Sequence, residues 1–361
     1  MILLLWSSFH LIEEYTLAYF EQKQNSSKYK SVIQLLIFSV VAFLLILMAF
    51  RNISVKSVVS RILEAKFFWV LLSFFISAFA HFIRAIRWKL LIEPLGYHPS
   101  LVNTFYAVMT GYLANLAFPR LGEVTRCGSL ARGEQIPFNK LLGTVITERI
   151  IDVVSLFICL LIVMVIEFSR LGNFLANNII KPVVHKFQVF GSPVLILLVT
   201  VVFAALIFFA VRYLKRRDNK FSHLVKDVTE GIMSVRKLKR PWLFIFHSAF
   251  IWFLYFLSVY VAFFALPSTE NLGLGAALFL LVAGGVAMSA PVQGGIGAYH
   301  LLVSQGLLLY GLNQEEGLAF ATLLHGLQMI LSVLLGGIAF LLLFSAGKQK
   351  NGSSISAGKG S

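Results

Sequence analysis

Residues 142–166 read LGTVITERIIDVVSLFICLLIVMVI, a stretch in which Glu148, Arg149 and Asp152 are the only charged residues. A helix of this length extends about 37 Å, which exceeds the roughly 30 Å of hydrocarbon in a bilayer. Backbone amides in hydrocarbon need partners within their own segment, so this stretch predicts a transmembrane helix. Its three charged residues lie in the first half, where each would enter the membrane only at a cost.

Apolar stretches of similar length recur along the chain. Hydrophobic residues make up 58% of its 361 residues and charged residues 13%, against about 45–50% and about 25% in soluble domains. We therefore predict an all-α, polytopic transmembrane helical bundle with about eight crossings. The apolar segments are Val32–Phe50, Phe67–Ile86, Leu101–Phe118, Leu142–Ile166, Ser192–Val211, Trp242–Leu266, Leu272–Ala290, Tyr299–Leu312 and Leu318–Phe344.

Two of these segments end in a helix break. Leu101–Phe118 stops at Pro119, and Leu272–Ala290 stops at Pro291 in a glycine-rich stretch. Each break has a small residue two positions before the proline and a glycine three positions after it. Such breaks are tolerated in a membrane only where they are buried in protein or line a cavity, and one in each half points to a transport site built from internal repeats. We predict one or two re-entrant or broken helices.

Basic residues outnumber acidic residues by 31 to 16, and they gather between the apolar segments. This distribution is typical of cytoplasmic loops near anionic lipid, whereas nucleic-acid binding would need a basic module of domain size. We predict an interfacial segment (1–31), a transmembrane domain (32–344) and a disordered cytoplasmic tail (345–361), in the inner (cytoplasmic) membrane of the cell. Within the domain, 212–241 is a basic cytoplasmic loop whose amphipathic helix either lies on the inner leaflet or covers the end of the bundle.

The stretch FPRLGEVTR, residues 118–126, combines a helix break with three charged residues, Arg120, Glu123 and Arg126. Arginine presents a planar fork of donors that suits phosphate, and free backbone amides at the start of a helix also attract anions. We predict that these three residues contribute to substrate binding. The alternative is an interfacial loop whose arginines extend to lipid headgroups.

The charged residues of the opening stretch form a second candidate site. Glu148 and Asp152 are four residues apart and share a helical face, with Arg149 beside them. Charges in a membrane are tolerated best in pairs, so we expect these three to pair with one another or with Arg120 and Arg126. Direct contact with substrate or with a proton is the alternative role.

Arg84 and Arg87 close another span, in the stretch RAIRWK at residues 84–89. They are either positive anchors beside an interfacial Trp88 or ligands of a lipid headgroup. The sequence leaves both roles open.

Two further polar features lie in the C-terminal half. The second break permits a sharp turn and a close backbone approach, and its residues are Pro291, Gly294, Gly295 and Gly297. The last span carries a polar and small-residue stripe at helical spacing, made of His325, Gln328, Ser332 and Gly336. This stripe must face the interior of the bundle, where it either packs helices through hydrogen bonds or contributes to substrate binding.

In their order and spacing, these motifs resemble the transmembrane region of lysylphosphatidylglycerol synthases, a flippase-like family. The resemblance rests on residues 84–88, 119–126, 148, 149, 152, 291, 294, 295, 297, 325 and 328, and it covers about Val32 to Phe344. It implies movement of a lipid between leaflets, either an aminoacylated phospholipid or a polyprenyl-phosphate glycolipid. Synthases of this family carry a soluble transferase domain after the membrane part. Only Ser345–Ser361 follow the last span here, so we expect no synthase activity. His300 stands where the family pattern implies an acid.

The leading hypothesis from the sequence is an integral membrane lipid flippase that uses no cofactor. A polar groove lined by Arg120, Arg126 and Arg149 would receive an anionic or lipid-phosphate headgroup, while neighbouring acids hold the arginines in place. The alternatives are an integral membrane enzyme that modifies a lipid phosphate, with Glu123 or Asp152 as its base, and a membrane assembly partner without turnover. Membrane lipids are the expected partners, and the chain could also form a homo-oligomer.

Overall fold

A computed structural model shows a helical bundle in residues 36–51, 53–168, 170 and 238–357, which are the residues the structure describes, and no strand occurs among them. The fold class predicted from the sequence is confirmed. The helices are α1 (Leu36–Ala49), α2 (Val55–Leu63), α3 (Phe67–Ile92), α4 (Leu101–Ala117), α5 (Leu121–Glu134), α6 (Phe138–Ile166), α7 (Pro241–Phe263), α8 (Leu274–Met288), α9 (Ala298–Leu308) and α10 (Gln314–Ala357).

Among the described residues, four helical segments are long and apolar enough to cross a membrane: Phe67–Leu95, Phe138–Ile166, Pro241–Phe263 and Gln314–Leu343. They lie in α3 with its short 3₁₀ extension, α6, α7 and α10. Their outward-facing side chains are large and apolar, as Phe75 of α3 and Phe157 of α6 illustrate. An apolar surface of this extent is stable against hydrocarbon rather than water, so the bundle is that of a multi-pass integral membrane protein.

Helices α3 and α7 run antiparallel and form the centre of the bundle. Near one end, the hydroxyl of Ser258 in α7 is 3.0 Å from that of Ser73 and 2.7 Å from that of Ser77 in α3. At that same end, the Lys66 amide donates to the Ala265 carbonyl at 2.8 Å. Small hydroxyl residues let two helices approach closely and bond across their interface. The start of α3 therefore lies beside the end of α7.

Helices α4 and α5 form a hairpin whose two outer ends lie together. The side-chain amide of Asn103, near the start of α4, donates to Glu134 at the end of α5, at 2.7 Å. Farther in, Gly122 lies so close to Gly111 that a Cβ at Gly122 would overlap the Gly111 carbonyl oxygen. The predicted helix break at Pro119 is thus the tip of this hairpin.

Helices α8 and α9 form a second hairpin. At its open end, the rings of Phe279 and Tyr310 lie 5.8 Å apart. At its tip, Gly294 (φ 53°) and Gly297 (φ 81°) adopt left-handed backbone that favours glycine. The apolar segment 299–312, which the sequence indicated as a separate crossing, is instead the return arm of this hairpin. The apolar composition of 299–312 did not distinguish a separate crossing from a hairpin arm, because a helix in lipid and a helix packed inside the bundle are both apolar.

The tips of the two hairpins meet inside the bundle. A Cβ at Gly294 would lie 2.9 Å from Leu116 Cδ2, at the end of α4. Each half of the described chain has the same order, namely a long helix, a hairpin and a long helix: α3, α4/α5, α6 and then α7, α8/α9, α10. Since α3 and α7 are antiparallel, the two halves are inverted relative to one another, as in many transporters.

The remaining predicted segments either lie outside the described residues or differ from the prediction. The interfacial segment 1–31, the apolar segment 192–211 and most of the basic loop 212–241 lie outside the described residues. The tail predicted to be disordered from residue 345 is helical as far as Ala357. Glycine and serine lower helix propensity there, but without a proline the ladder of backbone hydrogen bonds continues.

Candidate functional site

Five charged side chains from three helices meet inside the bundle. Helix α3 contributes Arg84 and Arg87, α5 contributes Arg126, and α6 contributes Glu148 and Asp152. Residues three or four apart share a helical face, which explains why each helix presents its charges together. The two acids lie about 15–21 Å along α6 from its start. The group, here named the charge cluster, is therefore within the membrane span.

Ion pairs connect all five members of the charge cluster. The pairs are Arg84 Nη1–Glu148 Oε1 (3.2 Å), Arg84 Nη2–Asp152 Oδ2 (3.0 Å), Arg87 Nη2–Glu148 Oε1 (3.2 Å), Arg87 Nη2–Asp152 Oδ1 (2.8 Å) and Arg126 Nη1–Glu148 Oε2 (3.2 Å). Glu148 thus contacts all three arginines, while Asp152 bridges the two from α3. The acids hold α3 and α5 against α6.

The charge cluster is buried and carries a net positive charge. Its side chains are at most 12% exposed, and three arginines face two carboxylates. Among the residues that the structure describes, no acid compensates the third positive charge, and an unpaired buried charge is unfavourable by several kcal/mol. Four buried nitrogens also lack a hydrogen-bond partner within the described residues: Arg84 Nε, Arg87 Nε, Arg126 Nε and Arg126 Nη2. The cluster has both the charge and the donors to bind one anion.

Trp88 forms one wall of the charge cluster. The Arg126 guanidinium lies over its ring, 4.8 Å from the centroid, and the indole Nε1 donates to Thr144 Oγ1 at 2.9 Å. Trp88 is fully buried, so it does not act as the interfacial belt residue that the sequence left open. Burial of Arg84 and Arg87 likewise excludes the surface-anchor alternative for them.

Other predicted site residues lie at the edge of the charge cluster or apart from it. Arg149 is 44% exposed and pairs with Glu123 at 3.5 Å and with Asp152 at 4.0 Å. Arg149 and Glu123 together leave the net charge of the cluster unchanged. Arg120 is exposed at the tip of the α4/α5 hairpin, with left-handed backbone (φ 63°), and makes no ion pair with any described residue. The predicted pairings of Glu148 with Arg126 and of Arg149 with Asp152 are therefore confirmed, whereas pairing with Arg120 is not observed.

The second helix break forms a separate polar site. Nε2 of His325 in α10 donates to the carbonyl oxygen of Gly294 at 2.8 Å. The ring of Tyr299 stacks on that of His325 with centroids 4.9 Å apart, and His300 approaches its edge at 5.1 Å. Gly295 and Gly297 are buried beside it, Gln328 is half-buried, and Pro291 is exposed. The site fastens the tip of the α8/α9 hairpin to α10.

A family model described as the lysylphosphatidylglycerol synthase TM region matches residues 31–336, which include every helix that forms the charge cluster and both hairpins. The chain belongs to this family.

Two relatives are similar to this member of the lysylphosphatidylglycerol synthase TM family. The UPF0104 membrane protein MJ1595 of Methanocaldococcus jannaschii is 29% identical over 128 residues, which cover 34% of this chain and 38% of that protein. The UPF0104 membrane protein PH1989 of Pyrococcus horikoshii is 24% identical over 333 residues, which cover 85% of this chain and 96% of that protein. The first match spans less than half of that relative's length. No solved structure matches the chain.

Sequence reasoning missed part of the site in this family member. It did not foresee that Arg84 and Arg87 pair with the acids of α6, or that Ser248 of α7 accepts a hydrogen bond from Arg87 at 3.4 Å. A serine among the aromatic residues of α7 was the available signal for Ser248. Thr144 gave no signal, because a threonine in a membrane helix often bonds only to its own backbone.

Proposed function

We propose that this protein moves a lipid with an anionic phosphate headgroup between the two leaflets of its membrane. The observation that carries the proposal is the buried charge cluster, with its single uncompensated positive charge at membrane depth. A stable bundle would favour equal numbers of charges there. An excess arginine is useful if an anion occupies the site during part of a working cycle.

The physical problem in lipid translocation is the headgroup. A charged group at the centre of a bilayer is disfavoured by about 2.5–3.5 kcal/mol on insertion scales and by more in some calculations. Guanidinium donors replace the water that a phosphate loses, and their planar geometry suits its oxygens. Glu148 and Asp152 keep the empty site close to neutral, so that the arginines stay folded into the bundle between substrate molecules.

The inverted hairpins support transport rather than chemistry. Broken helices that meet near the middle of a membrane are typical of transporters that expose one site alternately to each side. In this proposal the lipid keeps its covalent structure and changes only its leaflet. The substrate is either a phospholipid or a polyprenyl-phosphate-linked lipid, since both present phosphate oxygens to the arginines.

Reconstitution in vesicles tests the proposal. Purified protein is incorporated with a trace of a fluorescent phospholipid or polyprenyl-phosphate lipid, and a membrane-impermeant quencher measures how fast the label leaves the inner leaflet. We expect wild-type protein to move at least one of these lipids, and mass spectrometry to recover each lipid unchanged. A new lipid species would support an enzyme instead.

The variant Arg126→Gln tests the site. It leaves two arginines facing two carboxylates, so the charges of the cluster become balanced, the fold is retained and the uncompensated charge is gone. We expect translocation to fall about tenfold or more, equivalent to roughly 1.4 kcal/mol or more. Arg132→Gln, an exposed position on the same helix, is the matched control and should retain the wild-type rate. Equal rates for Arg126→Gln and wild-type protein would remove the cluster from the mechanism.

A further inference from the structure

A cleft of about 460 Å³ lies where the two hairpin tips meet α1. From α1 it is lined by Ser39, Ala42, Phe43 and Ile46, and from the tips by Leu116, Ala117, Gln293 and Ile296. The four α1 residues follow the spacing i, i+3, i+4 and i+7, so they form one continuous face of that helix. The cleft thus lies between α1 and the two helix breaks, and it is open along its side, where the lining Phe43 is 61% exposed.

The chemistry of this cleft differs from that of the charge cluster. Its lining contains no charged residue, and its two polar side chains are bonded to each other, since Gln293 Nε2 donates to Ser39 Oγ at 2.9 Å. The remaining lining residues are hydrocarbon or aromatic. An apolar cavity at membrane depth favours an apolar occupant, and the occupant at hand in a bilayer is a lipid chain.

Helix α1 forms one wall of this cleft and also has a lipid-facing side. The face of the helix next to the cleft lining presents Val40, Leu44 and Leu47, all more than half exposed, as a surface against hydrocarbon. Its backbone packs directly on Gly297, where an added Cβ would be 2.9 Å from the Ala42 carbonyl oxygen. Toward its start, the contact with the second tip is the Gln293–Ser39 hydrogen bond.

We propose that the cleft binds the hydrocarbon chain of the transported lipid and that α1 is the lateral gate through which this chain enters. The inference rests on the proposed lipid translocation and adds a second subsite to it. Arg126 lies about 8 Å along α5 from the first residue of that helix, close to the tip that lines the cleft. A headgroup at the charge cluster and a chain in the cleft are therefore within the dimensions of one lipid. Opening requires the Gln293–Ser39 bond to break while α1 pivots on Gly297.

Cross-linking α1 to the second tip tests the gate. Ser39→Cys and Gln293→Cys are combined in a protein whose native Cys127 and Cys159 are replaced by alanine and which retains translocation. A short, reducible bis-methanethiosulfonate reagent then joins the two thiols. We expect the joined protein to lose at least nine-tenths of its translocation rate and to regain it on reduction. Unchanged translocation by fully cross-linked protein would overturn the gate.

The matched control joins Lys66→Cys to Glu270→Cys in the same background. Those side chains also contact each other, at 2.6 Å, and the adjoining Lys66 amide is already bonded to Ala265. This link should leave the rate unchanged. An equal loss of translocation rate in both cross-linked proteins would show that any rigid link inhibits the protein, and would contradict a specific gate at α1.

A filled cleft tests the chain site without a cross-link. Ala42→Trp places an indole inside the cleft, whereas Val40→Trp places the same group on the lipid-facing side of α1. We expect Ala42→Trp to slow translocation about tenfold or more and to reduce photolabelling of residues 39–46 by a lipid with a diazirine at the end of its chain. Equal photolabelling and equal translocation rates for Ala42→Trp and Val40→Trp would contradict the assignment of the cleft as the chain site. If wild-type protein moves no lipid yet is labelled in the cleft, the proposed function fails while chain binding stands.

Discussion

The guanidinium of Arg126 lies over the indole of Trp88, 4.8 Å from the ring centroid, while its Nη1 is 3.2 Å from Glu148 Oε2. A cation held between an aromatic face and a carboxylate has a fixed plane as well as a fixed position. Its Nε and Nη2 remain without a partner among the described residues. Arg126 is therefore oriented on two sides and retains donors for a third group.

Replacement of Arg126 by lysine should separate geometry from charge. Arg126→Lys keeps the net charge of the cluster but loses the planar donors and much of the stacking on Trp88. We expect the rate of lipid translocation to fall about tenfold, with a change in tryptophan fluorescence. Arg132→Lys, exposed on the same helix, should change neither. A wild-type rate for Arg126→Lys would show that charge alone suffices at this position.

Loss of the central carboxylate should destabilise the bundle. Glu148→Gln leaves three buried arginines facing one acid, and breaking a buried ion pair in this way lowers stability by about 3–5 kcal/mol. We expect a correspondingly lower free energy of unfolding in SDS titrations of detergent-solubilised protein. Glu270→Gln breaks the exposed pair with Lys66 and should lower it by less than about 1 kcal/mol. Similar losses in both variants would contradict the buried network.

The close approach of α4 and α5 predicts a position-specific effect of a methyl group. Gly122→Ala adds a Cβ that would overlap the Gly111 carbonyl oxygen, so the hairpin must open, and overpacking of this kind lowers stability by about 1–3 kcal/mol. Gly128→Ala lies on the same helix with nothing within 4 Å of the added Cβ.

That control should raise stability by roughly 0.5–1 kcal/mol, because alanine favours helix over glycine. Thermal unfolding in detergent measures both variants. Unchanged thermal stability in Gly122→Ala would mean that α4 and α5 do not approach each other closely at Gly111 and Gly122.

The side chain of His325 in α10 binds the tip of the second hairpin. His325→Leu removes the donor to the Gly294 carbonyl and leaves that acceptor buried, at a loss of about 1–3 kcal/mol. We expect lower thermal stability and faster modification of a cysteine placed at Ser289, near the tip. His98→Leu, at an exposed loop position, should alter neither property. An unchanged modification rate in His325→Leu would show that the tip is held by other contacts.

Sequence patterns predicted the positions of the helix breaks well, but they predicted the ion-pair partners of the charged residues less well. Pro119 and Pro291 interrupt apolar runs, and local chain chemistry requires a break at each, wherever the flanking helices lie. The pairing of Glu148 with Arg126 was within the predicted set. Arg84 was not assigned as a partner, because nothing along the chain indicates that α3 packs beside α6. Partner choice between helices is a property of their packing.

The sequence by itself determined that this is an α-helical membrane protein with a break in each half. In hydrocarbon the backbone can satisfy its hydrogen bonds only in helices or closed barrels, and continuous apolar runs of this length fit helices, so composition and length suffice for that inference. Only the tertiary structure decided that 299–312 returns as a hairpin arm, that the tips meet at Leu116 and Gly294, and that Arg84, Arg87 and Arg126 face only two acids. These facts depend on distances between helices far apart in sequence, which apolar periodicity does not encode because every outward face meets the same lipid.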